Sequence, residues 1–375
     1  MRILCILDNL SIVSGVSSVV MNLYRNMDLG QVQMDFLVCN KQLESFEKEI
    51  KEHGGKVFYT GNFLSPYQVI SAIKNSKAFF EKYGSDYDAV HLHTPTIAVF
   101  TLKYAKTCGV PVRIVHSHST MMSVSKLKNI INKYLIAQIK KYANVFCACS
   151  TEAAHFLYGE QFCEMHQVEL IHNAVDCTKF IFKKEISKMM REKLELDGYT
   201  AFIHVSNYSP IKNHVFLLDV IEWFNTCEKK VKFIFVGNGP ARRSFESEIE
   251  KRGLQQFCVF IDKTPDVAQY MFAADAVILP SLKEGLPVTL VEAQAAGLPF
   301  FTSDTVTREV NVGKGEFIPL ITEKWFEKLN AFEPLSVEKR AEHSERFRQS
   351  AFNIQIEAAR ITAFYEQLTK GGRKE

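Results

Sequence analysis

Short apolar segments recur along the whole chain and alternate with longer segments in which apolar residues have helical spacing. The short segments are rich in valine, isoleucine and phenylalanine and are bounded by polar residues, glycine or proline. Strands covered by helices on both faces have this continuous apolar character. The alternation therefore predicts an α/β fold with doubly wound parallel sheets. The predicted strands occupy residues 3–7, 34–39, 87–92, 111–115, 144–149, 201–205, 231–236, 257–261, 275–279 and 298–302.

The series of predicted strands starts twice, once at Arg2–Leu7 and again at Thr200–Val205. A length of 375 residues suits two domains, at about 150 residues per domain. We therefore expect two Rossmann-like domains that face a cleft, with ligands at the carboxyl ends of the strands. Apolar spacing over residues 345–368 predicts one continuous C-terminal helix. The expected N-terminal domain is 1–177, the C-terminal domain is 178–354, and a helix within 355–375 packs back on the first domain.

Charge and composition exclude several classes of protein. The 45 Lys+Arg and 42 Asp+Glu residues give a net charge of +3 and a pI of about 8.2. A dedicated nucleic-acid binder usually has a pI above about 9 and a clustered basic face, so we expect no nucleic-acid partner. The nine cysteines form no C-x-x-C pair and lie mostly in apolar segments. They are typical of reduced core cysteines rather than of a disulfide framework or a metal centre.

No segment approaches the roughly 18 to 20 consecutive apolar residues that a membrane-spanning helix needs. The apolar run Ile3–Leu7 ends at Asp8, which makes it too short for the core of a signal peptide. We therefore expect a cytoplasmic protein, and peripheral attachment to the inner face of the membrane stays an open alternative.

The segment 126–142 is the reason for that alternative. It has an apolar stripe at helical spacing and five lysines with no acidic residue. An interfacial helix attracted to anionic lipid has this pattern. A helix that packs on its own sheet and presents a lysine-rich outer face has it as well.

The segment Pro280–Pro299 carries the strongest indication of a binding site. It follows a predicted buried strand and contains its own helix signals, with Pro287 at the first helical position and Gly297 at the end. The free N–H groups of residues 288–290 and the helix dipole behind them would form an anion site.

Two carboxylates flank this anion site, Glu284 just before the helix and Glu292 within it. A carboxylate would repel a phosphate placed directly on it, whereas it accepts hydrogen bonds from sugar hydroxyls. The residues therefore favour a sugar-phosphate site. An exposed glutamate that only complements the helix dipole is the alternative interpretation.

The frame EGLPVTLVEAQAAGLP, with Glu284 and Glu292 at its two glutamates, resembles the E-x7-E signature of retaining GT-B glycosyltransferases of family 4. The resemblance is to bacterial members that build capsular or exopolysaccharide repeat units, and it covers nearly the whole chain. The other motifs that follow the family order are Met21–Asn26 after Gly15, Arg113–His118, His172–Asp176, Val236–Pro240 and Ser303–Asp304 followed by Arg308–Glu309.

The resemblance implies that a nucleotide sugar binds to the C-terminal domain. It implies that Glu292 holds the ribose hydroxyls and that Glu284 contacts the transferred sugar. It also implies that backbone N–H groups of a short turn bind the diphosphate and the sugar, and this turn includes Gly285, Leu286 and Val288.

A lysine in the loop after the first strand of that domain neutralises the diphosphate in such enzymes, and Lys212 matches it. A fixed cation there stabilises the charge that develops as the glycosidic bond breaks. The sequence departs from the family at Asn207, where an arginine is usual, because Asn207 can donate a hydrogen bond but carries no charge. Other cations could compensate, and the candidates are Arg242, Arg243, Lys263 and Arg308.

In the N-terminal half, Gly15 lies in the loop after the first predicted strand, without the G-x-G-x-x-G pattern of a dinucleotide site. The resemblance implies that the backbone at Gly15 approaches the donor phosphate or the acceptor. It assigns His118, at the end of a predicted strand, a contact with the transferred sugar. A structural hydrogen-bonding role for this histidine is the alternative.

Two further patterns in the sequence resemble metal sites. His91, His93 and His116 neighbour His118 but have no acidic partner at ligand spacing, so we expect no zinc site. The D-x-D triplet at 86–88 precedes a predicted strand instead of ending one, which is more typical of solvated turn residues than of Mg²⁺ ligands. We therefore expect no metal site and metal-independent catalysis.

The resemblance implies a retaining glycosyltransferase that needs no cofactor. Its donor would be a nucleotide diphosphate hexose, with UDP favoured over GDP, and its acceptor a hydroxyl of a growing, lipid-linked bacterial surface glycan. Two alternatives stay open. One is a degenerate, non-catalytic member that binds an acceptor or stabilises a partner, as Asn207 suggests, and the other is a sugar-nucleotide epimerase of the same fold.

Overall fold

The computed structural model describes residues 1–12, 14–63, 65, 67–119 and 134–371. The chain divides into two compact units, of which the first consists of Met1–Ala174 and Ile354–Glu375 and the second of Val175–Asn353. Each unit contains one parallel sheet with its own apolar core. The predicted two-domain α/β architecture is therefore confirmed.

The sheet of the first unit has seven parallel strands. They are β1 (Arg2–Asn9), β2 (Gln33–Asn40), β3 (Val57–Tyr59), β4 (Ala89–Leu92), β5 (Val112–Ser117), β6 (Val145–Ala148) and β7 (Glu169–Leu170). Their order in the sheet is β3-β2-β1-β4-β5-β6-β7, so the direction of winding reverses between β1 and β4. In open parallel sheets, ligands bind outside the carboxyl ends of the strands near such a reversal.

Short helices connect these strands and cover the sheet. They are α1 (Gly15–Asn26), α2 (Glu47–Glu52), α3 (Val69–Tyr83), α4 (Ala98–Thr107), α5 (Ile139–Tyr142), α6 (Thr151–Tyr158) and α7 (Glu160–Met165). Two of them begin at serine N-caps. Ser14 accepts a hydrogen bond from the Ser17 amide at 3.4 Å, and Ser150 accepts one from the Ala153 amide at 3.1 Å.

The second unit repeats the arrangement with six parallel strands. They are β8 (Thr200–Val205), β9 (Val231–Val236), β10 (Cys258–Ile261), β11 (Ala276–Leu279), β12 (Phe300–Ser303) and β13 (Gly315–Ile318). The sheet order is β10-β9-β8-β11-β12-β13, with the reversal between β8 and β11. Its core is rich in aromatic rings, which include Phe202, Phe233, Phe235, Phe301 and Trp325.

The helices of the second unit are α8 (Lys184–Lys193), α9 (His214–Trp223), α10 (Arg242–Lys251), α11 (Val267–Ala273), α12 (Val288–Ala295), α13 (Thr322–Ala331) and α14 (Val337–Arg348). The last helix, α15 (Ile354–Gly371), belongs to the first unit and packs against α1. No helix in the described part of the chain is long and apolar enough to cross a membrane.

The single helix predicted over residues 345–368 is wrong, because residues 349–353 separate α14 from α15. Polar groups there take up the backbone hydrogen bonds that a continuous helix would need. The Asn353 side chain donates to the Arg348 carbonyl oxygen at 2.8 Å, and the Phe352 amide donates to the Ser350 hydroxyl at 3.3 Å. The chain thereby leaves the second unit and re-enters the first.

Candidate active site

Two residues assigned to the donor site from different parts of the sequence lie in contact. Lys212 ends a 3-10 turn, Pro210–Lys212, in the loop after β8, and Glu284 lies in the loop between β11 and α12. The Lys212 Nζ donates to Glu284 Oε1 at 2.6 Å, and both side chains are largely buried, with 17% and 14% of their surfaces exposed. The backbone joins the same two loops, because the Leu282 amide donates to the Ile211 carbonyl oxygen at 2.8 Å.

The helix α12 begins beside this ion pair. Pro287 is the residue before the helix and not its first residue, a shift of one position from the prediction. No side chain caps the helix, and Thr289 fixes its first turn to the end of β8 through a 3.1 Å hydrogen bond to the Val205 carbonyl oxygen. The Leu290 amide donates to the Pro287 carbonyl oxygen at 3.1 Å, so it is not free for an anion as predicted. The amide of Val288 has no acceptor within the described residues.

Glu292 lies one turn further along α12 and is partly exposed. Its carboxyl group has no ion pair or hydrogen bond to another described side chain. Burial of the uncompensated carboxyl raises the pKa of Glu292 to about 7. The group is therefore an unpaired acceptor close to its ionisation midpoint at neutral pH.

The loop that carries Asn207 packs tightly against the loop after β9. A Cβ on Gly239 would lie 2.6 Å from the Tyr208 amide nitrogen, so the backbones approach too closely for any other residue. Asn207 itself is exposed, and its Oδ1 accepts a hydrogen bond from the Ser209 hydroxyl at 2.9 Å.

Of the four cations considered as substitutes for the missing arginine, Arg242 lies against this loop, with its guanidinium carbon 5.9 Å from the Tyr208 ring centroid. Two carboxylates bind it, Glu246 at 2.7 Å and Asp262 through Nη1. Arg308 lies over the Phe317 ring at 4.8 Å. Arg243 and Lys263 are exposed.

In the first unit, Gly15 is the first residue of α1 and is exposed. A Cβ added to it would meet nothing within 4 Å among the described residues. The fold therefore does not require glycine at this position. With glycine there, the space beside the backbone near the carboxyl end of β1 stays open among the described residues.

His118 lies at the carboxyl end of β5, in a stack of four histidine rings that includes its three expected neighbours, His91, His93 and His116. His91 and His93 come from β4 and the residue after it, with ring centroids 4.1 Å apart, and His116 and His118 stack at 3.9 Å. His93 Nδ1 lies 2.8 Å from His118 Nε2, and His91 Nε2 lies 3.2 Å from His116 Nδ1. The signal in the sequence was an H-x-H pattern at 91–93 and at 116–118, at or just beyond the ends of two predicted strands.

The histidine stack is the one group in the described part of the chain with three potential metal ligands close together. One ring nitrogen from each of His91, His93 and His116 lies within 4.8 Å of the others. The His91 and His93 rings are stacked at an interplanar angle of 24°, so their in-plane lone pairs run side by side and do not converge on one ion. The absence of a metal site stays a prediction.

The D-x-D triplet lies at the opposite end of the same sheet from His118. Asp88 precedes β4 and accepts a hydrogen bond from the Arg2 amide at 2.8 Å, and Asp86 pairs with the Arg2 guanidinium at 3.4 Å. Both carboxylates therefore bind the start of β1. This is consistent with the interpretation of the triplet as turn residues and not as Mg²⁺ ligands.

The segment 126–142 is described only from residue 134, and residues 126–133 lie outside the described residues. Leu135 and Ile139 are buried, and Lys140 lies over the Phe162 ring at 4.1 Å. Tyr134 is exposed. The described half of the segment thus favours packing on its own unit over contact with a membrane.

Comparisons with known proteins identify the family of this chain. A family model described as Glycosyltransferase Family 4 matches residues 13–179, and one described as Glycosyl transferases group 1 matches residues 185–345. EpsF of Bacillus subtilis (strain 168), named as a glycosyltransferase, is 31% identical over 329 residues, which are 86% of this chain and 82% of EpsF.

Two further similarities concern proteins with named ligands. The Escherichia coli UDP-Gal:alpha-D-GlcNAc-diphosphoundecaprenol alpha-1,3-galactosyltransferase is 24% identical over 251 residues, 63% of each chain. The crystal structure of Anabaena HepE in complex with UDP and glucose superposes with a TM-score of 0.79 at 18% identity, over 98% of this chain and 100% of HepE. The latter similarity concerns the fold.

Proposed function

Since this chain belongs to the family 4 glycosyltransferases and has their GT-B fold, we propose that it moves a hexosyl unit from a nucleotide diphosphate sugar to a glycan hydroxyl with retention of anomeric configuration. The observation that carries this proposal is the 2.6 Å contact of Lys212 with Glu284 at the uncapped start of α12. This contact supports the proposal, because a cation and a carboxylate side by side suit the diphosphate and the sugar of such a donor.

The donor binds to the second unit in this proposal. Lys212 and the Val288 amide bind the diphosphate together with the turn at Gly285 and Leu286, while Glu292 accepts hydrogen bonds from the ribose hydroxyls. The nucleotide is UDP in preference to GDP. The UDP-Gal named for the E. coli relative and the UDP bound to HepE support this choice.

Transfer proceeds on one face of the sugar and without a metal ion or other cofactor. The bond from the anomeric carbon to the phosphate oxygen breaks while the acceptor oxygen bonds to the same face of that carbon. The leaving phosphate takes the acceptor's proton. Lys212 and the α12 dipole stabilise the negative charge that grows on the phosphate, and no step needs a further base.

The first unit contributes the acceptor side. Open space beside Gly15 allows a ligand to approach the backbone, and His118 contacts the transferred sugar. The acceptor is a lipid-linked saccharide of a growing surface polysaccharide, which the diphosphoundecaprenol acceptor named for the E. coli relative supports. Catalysis at the cytoplasmic face of the membrane follows from such an acceptor.

The test is a transfer assay with UDP-glucose, UDP-galactose, UDP-N-acetylglucosamine and GDP-mannose, each with a short polyprenyl diphosphate that carries N-acetylglucosamine. We expect release of UDP and an axial product linkage by proton NMR. Lys212→Met should lower kcat/KM by about 10²- to 10³-fold, because a charge-stabilising contact of the transition state is lost. The exposed Lys324→Met serves as the matched control.

Other outcomes point to the alternatives. Failure of every donor to bind would support a non-catalytic member, and sugar interconversion without acceptor would support an epimerase. Asn207→Arg should raise the rate, since its exposed position admits a longer side chain beside the diphosphate.

A further inference from the structure

The contact between His93 and His118 constrains where the ring protons of both residues lie. His93 Nδ1 and His118 Nε2 are 2.8 Å apart, so one of them donates and the other accepts. The second ring nitrogen of His93, Nε2, is buried and has no hydrogen-bond partner within the described residues. His118 is partly exposed, and its Nδ1 is the ring nitrogen left for a substrate.

Each of the four stacked rings is neutral and therefore carries a single ring proton. Burial lowers the pKa of His91 and of His118 to about 3 and holds that of His93 and His116 well below its usual range. The groups that face the rings are the other imidazoles and the Tyr365 hydroxyl, 2.6 Å from His91 Nδ1, and no carboxylate among the described residues pairs with them. Among the residues that the structure describes, no partner therefore stabilises an imidazolium ion.

Two arrangements of the protons satisfy the 2.8 Å contact. If His118 Nε2 donated, His93 would carry its proton on Nε2, where a buried N–H would have no acceptor. If His93 Nδ1 donates, Nε2 of His93 is left with only an unused lone pair. A buried N–H group without an acceptor is rarer and costs more free energy than a buried ring nitrogen with an unused lone pair. The second arrangement is favoured.

We propose that His93 is a positioning residue that holds His118 in the Nδ1–H tautomer, so that His118 presents a neutral N–H donor to its substrate. This rests on the proposed function in one respect, namely that the substrate group at His118 is the transferred sugar.

A neutral Nδ1–H donor on His118 suits the reaction better than either the Nε2–H tautomer or an imidazolium ion. It binds a sugar hydroxyl through the oxygen lone pair, which an Nε2–H tautomer with a bare Nδ1 could not do. It also places no positive charge beside an anomeric carbon that becomes cationic during transfer, as an imidazolium ion would.

The tautomer is measured directly by long-range ¹H–¹⁵N correlation spectra of the full-length protein labelled with ¹⁵N-histidine. The His118 signals are assigned by their loss in His118→Gln, with the exposed His155→Leu as the matched control for spectral changes. We expect a protonated Nδ1 and an unprotonated Nε2 for His118 from pH 6 to 8. A protonated Nε2 in the wild-type protein would overturn the inference whatever the activity.

Two variants of His93 separate positioning from packing. Asn places a side-chain N–H near the position of Nδ1, so His93→Asn should keep the Nδ1–H signal of His118 and most of the activity. His93→Leu removes the donor, and we expect mixed tautomers and a kcat lower by about tenfold or more, with the donor KM unchanged. Equal losses in both variants would show that His93 only fills space.

The two proposals fail in different ways. An Nδ1–H tautomer in a protein that transfers no sugar leaves the role of His93 intact and removes the proposed function. Transfer activity in a protein whose His118 has the Nε2–H tautomer would leave the proposed function intact and remove the role of His93.

Discussion

In the proposed donor site, the ammonium group of Lys212 would serve a second anion, the nucleotide diphosphate, because its Nζ already donates to Glu284 Oε1 at 2.6 Å. Charges this close and this far from water interact strongly, so the carboxylate and the diphosphate compete for one cation. The same carboxylate is the proposed sugar ligand. Donor binding at the proposed site would therefore exchange the contact between Lys212 and Glu284 for one contact of each residue with the substrate.

This competition predicts opposite effects of Glu284→Gln on binding and on transfer. Affinity for UDP should rise by about fivefold, corresponding to about 1 kcal/mol, because Lys212 is freed from its carboxylate. The kcat for transfer should fall by about 10²-fold or more, because the sugar loses its charged acceptor. Calorimetric titration with UDP and initial rates measure the two quantities, with the exposed Glu250→Gln as control. Weaker UDP binding in Glu284→Gln would mean that the glutamate positions the lysine.

Glu292 predicts a pH-dependent contribution to stability. Burial raises its pKa to about 7 from an ordinary value of 4.5, so the folded protein binds more protons than the unfolded chain between these values. The contribution of the protonated Glu292 carboxyl to the free energy of unfolding is complete below about pH 4.5, and it is lost as the pH rises through 7. Relative to Glu292→Gln, the wild-type free energy of unfolding should fall by on the order of 2 kcal/mol across this range. Urea denaturation of both proteins at several pH values measures these free energies. A difference between the two proteins that stays constant with pH would contradict the raised pKa of Glu292.

The identity of these residues could be predicted from the sequence, whereas their interactions could not. A motif with fixed spacing singles out Glu284 and Glu292, but nothing local shows that Lys212, far away in sequence, would bond to the first and leave the second unpaired. The histidine stack is similar, since H-x-H on two strands gains meaning only when β4 and β5 are neighbours in register. Tertiary contacts decide charge and protonation.

At the level of elements, the start of α1 offers a substitution that separates function from folding. Gly15 is exposed at the first position of the helix, and a Cβ there meets nothing within 4 Å among the described residues. Gly15→Ala should raise the free energy of unfolding slightly, by up to about 1 kcal/mol, because alanine loses less backbone entropy in a helix. Transfer should nevertheless fall, because the methyl group occupies the space proposed for a ligand.

Thermal unfolding and initial rates of Gly15→Ala are the measurements. The matched control is Gly239→Ala, in which the added Cβ would lie 2.6 Å from the Tyr208 amide nitrogen and should destabilise the second unit. Full activity in Gly15→Ala would place the ligand away from this helix start.

The strands were easier to predict than the helices and their ends. All ten predicted strands exist, because central strands of a parallel sheet are buried on both faces and have continuous apolar sequences. β3, β7 and β13 were missed, since they are short and mostly half-buried and lack that signature. Between α14 and α15, apolar spacing continues through residues 349–353 although the helix does not.

At the scale of the whole molecule, the C-terminal helix α15 completes the first unit. Four of its side chains, Ile354, Ala358, Ile361 and Tyr365, are buried in the core of that unit. Glu357 is fully buried and accepts hydrogen bonds from the His172 amide at 2.7 Å and from Arg360 Nε at 2.8 Å. The unit is therefore built from both ends of the chain.

This division predicts how fragments behave. Burial of large apolar side chains stabilises by about 1.5 to 3 kcal/mol each, so the loss of α15 removes several kcal/mol from a domain that has only about 5 to 15. Residues 1–174 alone should therefore lack a cooperative thermal transition. Residues 175–353 contain a complete sheet and core, so they should unfold cooperatively and still bind UDP through Lys212 and Glu292.

Circular dichroism melts and calorimetric titration with UDP test both fragments, and a synthetic peptide of residues 354–375 added to residues 1–174 is the decisive comparison. Recovery of a cooperative transition with the peptide would show that α15 supplies missing core and not merely a tether, since the peptide reproduces its buried side chains without the chain connection. A fragment 1–174 that folds unaided would instead mean that α15 covers a core already complete. UDP binding confined to the full-length chain would require residues of the first unit in the nucleotide site.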